Sequence, residues 1–283
     1  MIFFYLLSDH MKRKIICPIL ILLGLQSCQN SNHQEKNAVA VEVPSTPVLS
    51  YYVTNNFPHD TTLFIEGFLF HQGKLFESTG SPLDMTSTRS LIGIQDLKTG
   101  KLDVKVELDR SKYFGEGIVI LKNKLYQLTY KNQLGFVYDA TTFKKLKEFK
   151  YANAEGWGLT TDSISLIMSD GTDQLTFLDP EKLSPVKTIS VTENGQPLAK
   201  LNELEFIKGF IYANVWGTND IVKIDPATAK VVGKLDFNAL AVKEKNNNPG
   251  ALEMNGIAYD PASDKIYITG KLWANIYQIE LNK

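Results

Sequence analysis

The sequence predicts an all-β chain: a five-bladed β-propeller of four-stranded antiparallel blades, its ring closed by an N-terminal strand that completes the last blade. Three observations predict it. Beyond residue 50 nearly every segment is a short run of β-branched and aromatic residues bounded by Gly, Asn, Asp or Pro, and no stretch keeps the i, i+3, i+4, i+7 apolar pattern of a helix for long. An acidic or amide residue beside Gly or Leu recurs five times, in Glu66-Gly67, Glu116-Gly117, Glu155-Gly156, Glu203-Leu204 and Asn255-Gly256, at intervals of 50, 39, 48 and 52 residues. That is close to the roughly 40–50 residues of a four-stranded blade. Finally, the fifth copy ends one strand short, while segment 50–57 is a strand without a blade. Joining the two closes the ring and hides its open edges.

The first thirty residues have another character. Lys12-Arg13-Lys14 precedes an apolar run, 15–25, and then Gln26-Ser27-Cys28. A basic region, a short apolar region and a small residue before a cut are the marks of a secretory leader. The run is shorter than the about 20 residues of a spanning helix. Residues 1–28 are therefore expected to be a signal peptide with a lipobox-like site, Cys28 becoming the acylated N-terminus. Gln26 departs from the residue usual there, and a plain signal peptide is the alternative. Met11 offers a second start, just ahead of the basic triplet. Residues 29–49, polar and without period, read as a flexible tether, and 50–283 as the propeller. The chain is thus expected to be exported, lipid-anchored in the bacterial envelope (periplasmic or outer membrane), and monomeric. Both cysteines, Cys17 and Cys28, lie in the leader region, so the mature domain would hold no disulfide. Residues 1–27 carry three cations and one anion, so their removal takes the net charge from -1 to -3. With no basic stripe, nucleic acid is not an expected partner.

Each blade repeats the same parts. Second strands read at 74–78, 124–129, 163–169, 210–216 and 265–269. Third strands run into acidic turns at Asp96, Asp139, Asp179 and Asp225, two of them followed by Pro; Asp fixes such turns by bonding backbone two residues on. Outer strands alternate at 104–108, 146–151, 186–191 and 231–237.

The innermost strand of a blade lines the axis, so Glu66, Glu116, Glu155, Glu203 and Asn255 are expected to ring one channel mouth. Any one of them could merely build the loop into its blade. Four carboxylates in a confined ring would raise one another's pKa, which marks candidates for acid/base work. Trp157 follows the third opener, and Tyr130, Trp216 and Trp273 follow second strands; a tryptophan there could equally plug the channel. Asp170, Asn202, Asn214 and Lys271 add polar groups near the same ends. Only His59 and His71 of the four histidines fall in the folded part, so no histidine-based zinc site is expected. There is no nucleophile elbow or phosphate loop. Carboxylate chemistry or plain binding remains.

Read in order, Phe57-Pro58-His59-Asp60, Phe64-Ile65-Glu66-Gly67, Glu77-Ser78-Thr79-Gly80, Tyr113-Phe114-Gly115-Glu116-Gly117, Glu155-Gly156-Trp157-Gly158, Leu201-Asn202-Glu203-Leu204, Ala213-Asn214-Val215-Trp216, Asn255-Gly256-Ile257 and Thr269-Gly270-Lys271-Leu272-Trp273 closely resemble the plant and bacterial type of glutaminyl-peptide cyclotransferase, over about residues 51–281. The resemblance implies a five-bladed propeller that turns the N-terminal glutamine of peptides or proteins into pyroglutamate with release of ammonia, without cofactor or metal. Expelling ammonia needs an acid whose pKa is raised by apolar surroundings, so Glu116 and Glu203 are expected as catalytic residues, Glu116 carrying the proton. Glu66, Glu77, Tyr130, Glu155, Trp157, Asp170, Asn202, Asn214, Trp216, Asn255 and Lys271 are then expected to bind substrate. The chain departs from the family pattern at Glu66, where many members have Gln, at Tyr130, where many have Trp, and at Arg89, which precedes Ser90-Leu91 rather than following it. The rivals are a non-catalytic, lipid-anchored propeller that binds peptides or glycans, and a metal-assisted lactonase-like propeller, a type that usually has six blades.

Overall fold

In the computed structural model, residues 45–282 are described. The leader, Cys28 and most of the tether therefore lie outside the described residues. Five antiparallel sheets follow one another along the chain. Their inner strands are Phe64–His71, Gly115–Leu121, Leu159–Thr161, Leu201–Ile207 and Met254–Asp260. The predicted closure is present: Tyr51–Pro58 pairs antiparallel with Asn275–Leu281, from Tyr51 opposite Leu281 to Pro58 opposite Asn275. In blades 1, 2 and 4 the inner strand turns back through two residues of positive φ, Gln72-Gly73, Lys122-Asn123 and Lys208-Gly209, the conformation of the tightest hairpin turns. The acidic turns also form as expected, each Asp accepting backbone N–H groups two or three residues on.

The apolar core is divided among the five blade-to-blade interfaces, one cluster in each. The interface of blades 4 and 5 is the richest, with thirteen buried apolar residues, and that of blades 1 and 5 the poorest, with six. The poorer seam is where the ring closes, and it is reinforced by polar contacts. His59 leaves the closing strand, donates its backbone N–H to Ala274 O at 2.9 Å, and places Nδ1 2.9 Å from Trp273 O and Nε2 3.0 Å from Glu77 Oε2. Both ring nitrogens face acceptors, an arrangement that favours the protonated imidazolium. Burial pulls its pKa down most, but the Glu77 charge and hydrogen bond, the Trp273 carbonyl and Asp60 together outweigh it and leave it above the ordinary histidine value.

Three features depart from the expected layout. Pro47–Leu49, read as tether, lies along blade 4: Leu49 N donates to Lys234 O at 2.7 Å and Lys234 N to Pro47 O at 2.9 Å. The tether reading fails there because the outer strand Lys230–Asp236 offers a free edge and Gly233 leaves room for Leu49. Blade 4 also carries a small extra hairpin, Thr192–Glu193 with Gln196–Pro197. A helix, Asn238–Asn247, interrupts the β pattern; only Glu244 of it is buried, so it has no apolar stripe for a periodicity argument to find.

Four of the five inner strands are irregular at one level: pairing with the second strand slips between Ile65 and Gly67, Gly115 and Ile118, Leu201 and Leu204, and Met254 and Ile257, while the short Leu159–Thr161 pairs without a slip. These bulges re-aim side chains at the channel. Neighbouring inner strands nearly touch there, Gly117 N donating to Trp157 O at 2.8 Å. A Cβ on Gly117 would lie 2.5 Å from Leu159 N and 2.6 Å from Trp157 O, so only glycine fits.

Candidate active site

The bulges define which residues share a level. Counting back one residue from Gly67, Gly117, Gly158, Glu203 and Gly256, the matching positions of the five blades, Glu66, Glu116, Trp157, Asn202 and Asn255 are equivalent. Four of these line a cavity of about 330 Å³ at one channel mouth, with Phe64, Phe114, Tyr130, Trp216, Glu253 and Lys271. Asn255 stands just behind, its Nδ2 donating to Glu66 Oε2 at 3.0 Å. The size is at the low end of small-molecule sites, about 300–1,000 Å³.

Aromatic rings wall one side. Trp157 meets Trp216 edge to face at 6.1 Å and Tyr130 at 6.5 Å, and Tyr130 meets Phe114 at 5.8 Å. Their indoles are anchored, Trp157 Nε1 on Glu155 Oε2 at 2.9 Å and Trp216 Nε1 on Glu253 Oε1 at 2.8 Å. The other side is charged. Lys271 Nζ lies 2.9 Å from Glu66 Oε1 and 3.3 Å from Glu253 Oε1, with the Phe64 ring beneath it at 4.6 Å. Burial lowers the Lys271 pKa, but Glu66 and Glu253 outweigh it and leave the ammonium above the ordinary lysine value.

Of the three glutamates lining this cavity, Glu66 and Glu116 are buried and differ in their partners. Glu66 accepts from both Lys271 and Asn255; burial raises its pKa, Lys271 lowers it, Glu253 raises it again, and it settles at about 7. Glu116 accepts no hydrogen bond on its carboxyl from any described residue. Burial first, and then the Glu66 charge, push it well above the ordinary carboxylate range, Lys271 opposing. Burial without a donor among the described residues disfavours the charged form of a carboxyl.

Several expected residues fall elsewhere. Glu203 is one position too far along its strand, where blades 1, 2, 3 and 5 have glycine, so it points into the channel rather than the mouth. Its Oε1 accepts from Phe68 N at 3.1 Å and its Oε2 from Ile257 N at 2.7 Å. Inner-strand edges leave such N–H groups without partners, and Glu203 satisfies two of them. Glu205, pushed up to about 8 by burial, bonds Tyr259 N in the same way. Glu155 precedes its short strand by two positions more than expected and serves as the Trp157 anchor and partner of Lys131 at 3.5 Å. Glu77 faces the ring seam, because strand alternation turns it away from Ser78, which bonds the Glu116 carbonyl at 2.6 Å. Asp170 holds its own turn through Thr172 and receives Asn153 Nδ2, while Asn214 Oδ1 accepts from Gly256 N at 2.9 Å behind the bulge. Trp273 is fully buried under the mouth. Phe64, Phe114 and Glu253 were not singled out by sequence. Each stands two residues before a ring position, and residues i and i-2 of a strand share a face, so the spacing held the signal.

Among the described residues no group of three His, Cys, Asp or Glu side chains is placed to hold a metal ion, and no helix is long and apolar enough to cross a membrane.

The chain is thus a five-bladed propeller whose aromatic-walled cavity gathers buried carboxyls and one buried ammonium. The comparisons give its kind. The sequence profile of the glutamine cyclotransferase family matches residues 19–281. A glutaminyl-peptide cyclotransferase of Arabidopsis thaliana is 37% identical over 233 residues, 82% of this chain and 71% of the relative. The crystal structure of Myxococcus xanthus glutaminyl cyclase superposes with a TM-score of 0.75 at 35% identity, covering 83% of this chain and 98% of that one. The chain belongs to the glutamine cyclotransferase family.

Proposed function

We propose that this protein converts the N-terminal glutamine of peptides or proteins to pyroglutamate with release of ammonia, and that Glu116 carries the proton. The observation that carries the reading is the Glu116 carboxyl: buried, free of donors, and facing a cavity large enough for one glutamine side chain. The substrate must fold its side chain back on its own amine, so the aromatic wall acts mainly by holding that conformer. The neutral α-amine, of ordinary pKa about 7.7–8.0, attacks the side-chain carbonyl carbon. Lys271 and the Asn202 side chain stand where an oxyanion would gain from them. Glu116 gives its proton to the departing nitrogen, the C–N bond breaks as the oxyanion collapses, and the proton left on the ring nitrogen returns to Glu116. Atoms and charge then balance with ammonia as the only by-product. Glu66, Asn255 and Glu253 fix Lys271; Trp157, Trp216, Tyr130, Phe64 and Phe114 bound the pocket.

The direct test incubates the purified domain with Gln-initiated and Asn-initiated dipeptides, with and without chelator, and measures ammonia. Ammonia from the glutamine peptide alone, unaffected by chelator, supports the reading. Binding of the glutamine peptide without ammonia release would favour a non-catalytic peptide-binding propeller instead.

Activity should rise with pH as the amine deprotonates and fall as Glu116 loses its proton. The Glu66 charge raises the Glu116 pKa, so Glu66→Gln is expected to move the alkaline limb of kcat to lower pH. An alkaline limb unmoved in that variant would remove the coupling between the two carboxyls. We also propose that the chain is exported and anchored through Cys28, with a membrane link of no other kind. Cys28→Ser should then transfer the protein from the membrane to the soluble fraction of the producing cell; retention in the membrane fraction would exclude the anchor.

A further inference from the structure

The helix Asn238–Asn247 carries one fully buried side chain, Glu244, which plays no part in the chemistry above. Burying a carboxylate is costly unless donors surround it, and here they do. Its Oε2 accepts from Ala274 N at 2.8 Å; its Oε1 accepts from Asn275 Nδ2 at 2.7 Å, from the Tyr277 hydroxyl, and from Asn247 Nδ2 at 3.4 Å. Three of these four donors belong to blade 5, immediately after the segment that carries Lys271.

The linkage continues from the helix toward the cavity. Asn248 N bonds Glu244 O at 2.8 Å, and its Nδ2 donates to Leu272 O at 2.7 Å. Leu252 N donates to Lys271 O at 2.9 Å, and Lys271 N to Glu253 O at 3.1 Å. Trp273 Nε1 closes the ladder on Leu252 O at 2.9 Å. Leu272, between Lys271 and Trp273, has φ of 60°, a left-handed conformation that a leucine adopts only when its surroundings impose it. Lys271 and Glu253 are thus held as one unit, backed by Asn248 and the helix.

We infer that Glu244 is a positioning residue for the active site: through Ala274, Asn275 and the 248–253 loop it sets where Lys271 and Glu253 stand in the cavity. This rests on the proposed cyclotransferase reading, since it gives the Lys271 ammonium a task there. The groups facing Lys271 are Glu66, Glu253 and, farther off, Glu116, with Phe64 beneath it. Lys271 lowers the proton affinity of Glu116, so letting the ammonium drift should move the alkaline limb of kcat to higher pH, opposite to the Glu66→Gln shift.

The experiment compares Glu244→Gln and Asn248→Ala with the parent protein for kcat, KM, pH profile and thermal stability. Glutamine keeps the shape but turns an NH2 group toward donors; Asn248→Ala leaves Glu244 intact and cuts the link one step nearer the cavity. Both variants are expected to lose about tenfold in kcat, more than in KM, and to shift the alkaline limb upward. Lowered thermal stability with kcat and the limb unmoved in the folded variants would overturn the inference and leave Glu244 a structural anchor. Should Glu244→Gln fail to fold, Asn248→Ala decides alone. Absence of ammonia release in the parent protein would instead remove the functional reading beneath it.

Discussion

Replacing Glu116 by Gln is expected to lower kcat by about 10²–10⁴-fold while the protein keeps its fold and its affinity for a glutamine-initiated peptide. The carboxyl accepts no hydrogen bond from a described residue, so its amide counterpart loses none and fits the same space. What disappears is a proton that can be given and taken back. Expelling amide ion without a proton is the hardest part of the reaction, and no second acid at the mouth is equally placed. Glu66 is already held between Lys271 and Asn255, and Glu203 lies deeper, on the amides of Phe68 and Ile257. Steady-state kinetics with peptide binding measured alongside check this. Turnover within a few-fold of the parent would remove Glu116 as the proton carrier.

Glu77→Ala is expected to cost about 3–5 kcal/mol of stability, the usual penalty for stranding one member of a buried charged pair. It leaves His59 Nε2 without its partner, only Nδ1 keeping the Trp273 carbonyl, and takes the acceptor from Gln95 Nε2, 2.8 Å away. The loss falls on the seam with the fewest buried apolar residues, where little else compensates. The pair also sets a pH dependence. His59 has its folded pKa raised, so its contribution is complete below the ordinary histidine value near 6.5 and is lost as pH rises through the higher folded value. Urea unfolding of both proteins across pH 5.5–9 measures the two effects together. A destabilisation below about 1 kcal/mol, or a parent protein whose stability does not fall across that rise, would show that the seam is held by other contacts.

Blade number, closure and the acidic turns were legible because they rest on composition and spacing: β-branched runs, Asp at turns, and a strand missing at one end where one is spare at the other. The site was legible to within one or two residues along the strand, and that margin decides function. Glu116, Glu66, Asn202, Trp157, Tyr130, Trp216 and Lys271 reach the mouth cavity as expected. Glu155 and Glu203 carry the same acidic letter but sit two residues before and one after the shared level, because the third inner strand is short and the fourth replaces the contact glycine by Glu203 itself. A repeat read by eye aligns letters, whereas the backbone aligns bulges. Glu77 and Asp170 lie off that cavity for a related reason, since near the mouth in sequence a side chain can still face the neighbouring blade or its own turn. Glu244 gave no signal at all: its blade 5 partners are some thirty residues away, and its helix has no apolar face.

The pairing of Tyr51 with Leu281 has a consequence for how the chain reaches its native state. The closing strand is made long before the strand it pairs with, so the circle cannot be completed piecemeal while the blades between them are synthesised. Until then the partial chain holds a blade with an unmatched edge and a seam without its imidazolium, and it depends on delay or escort to avoid pairing with another copy. Loop closure over almost the whole domain also places the final step among the slow ones. A protein assembled in this way gains its cavity late and all at once.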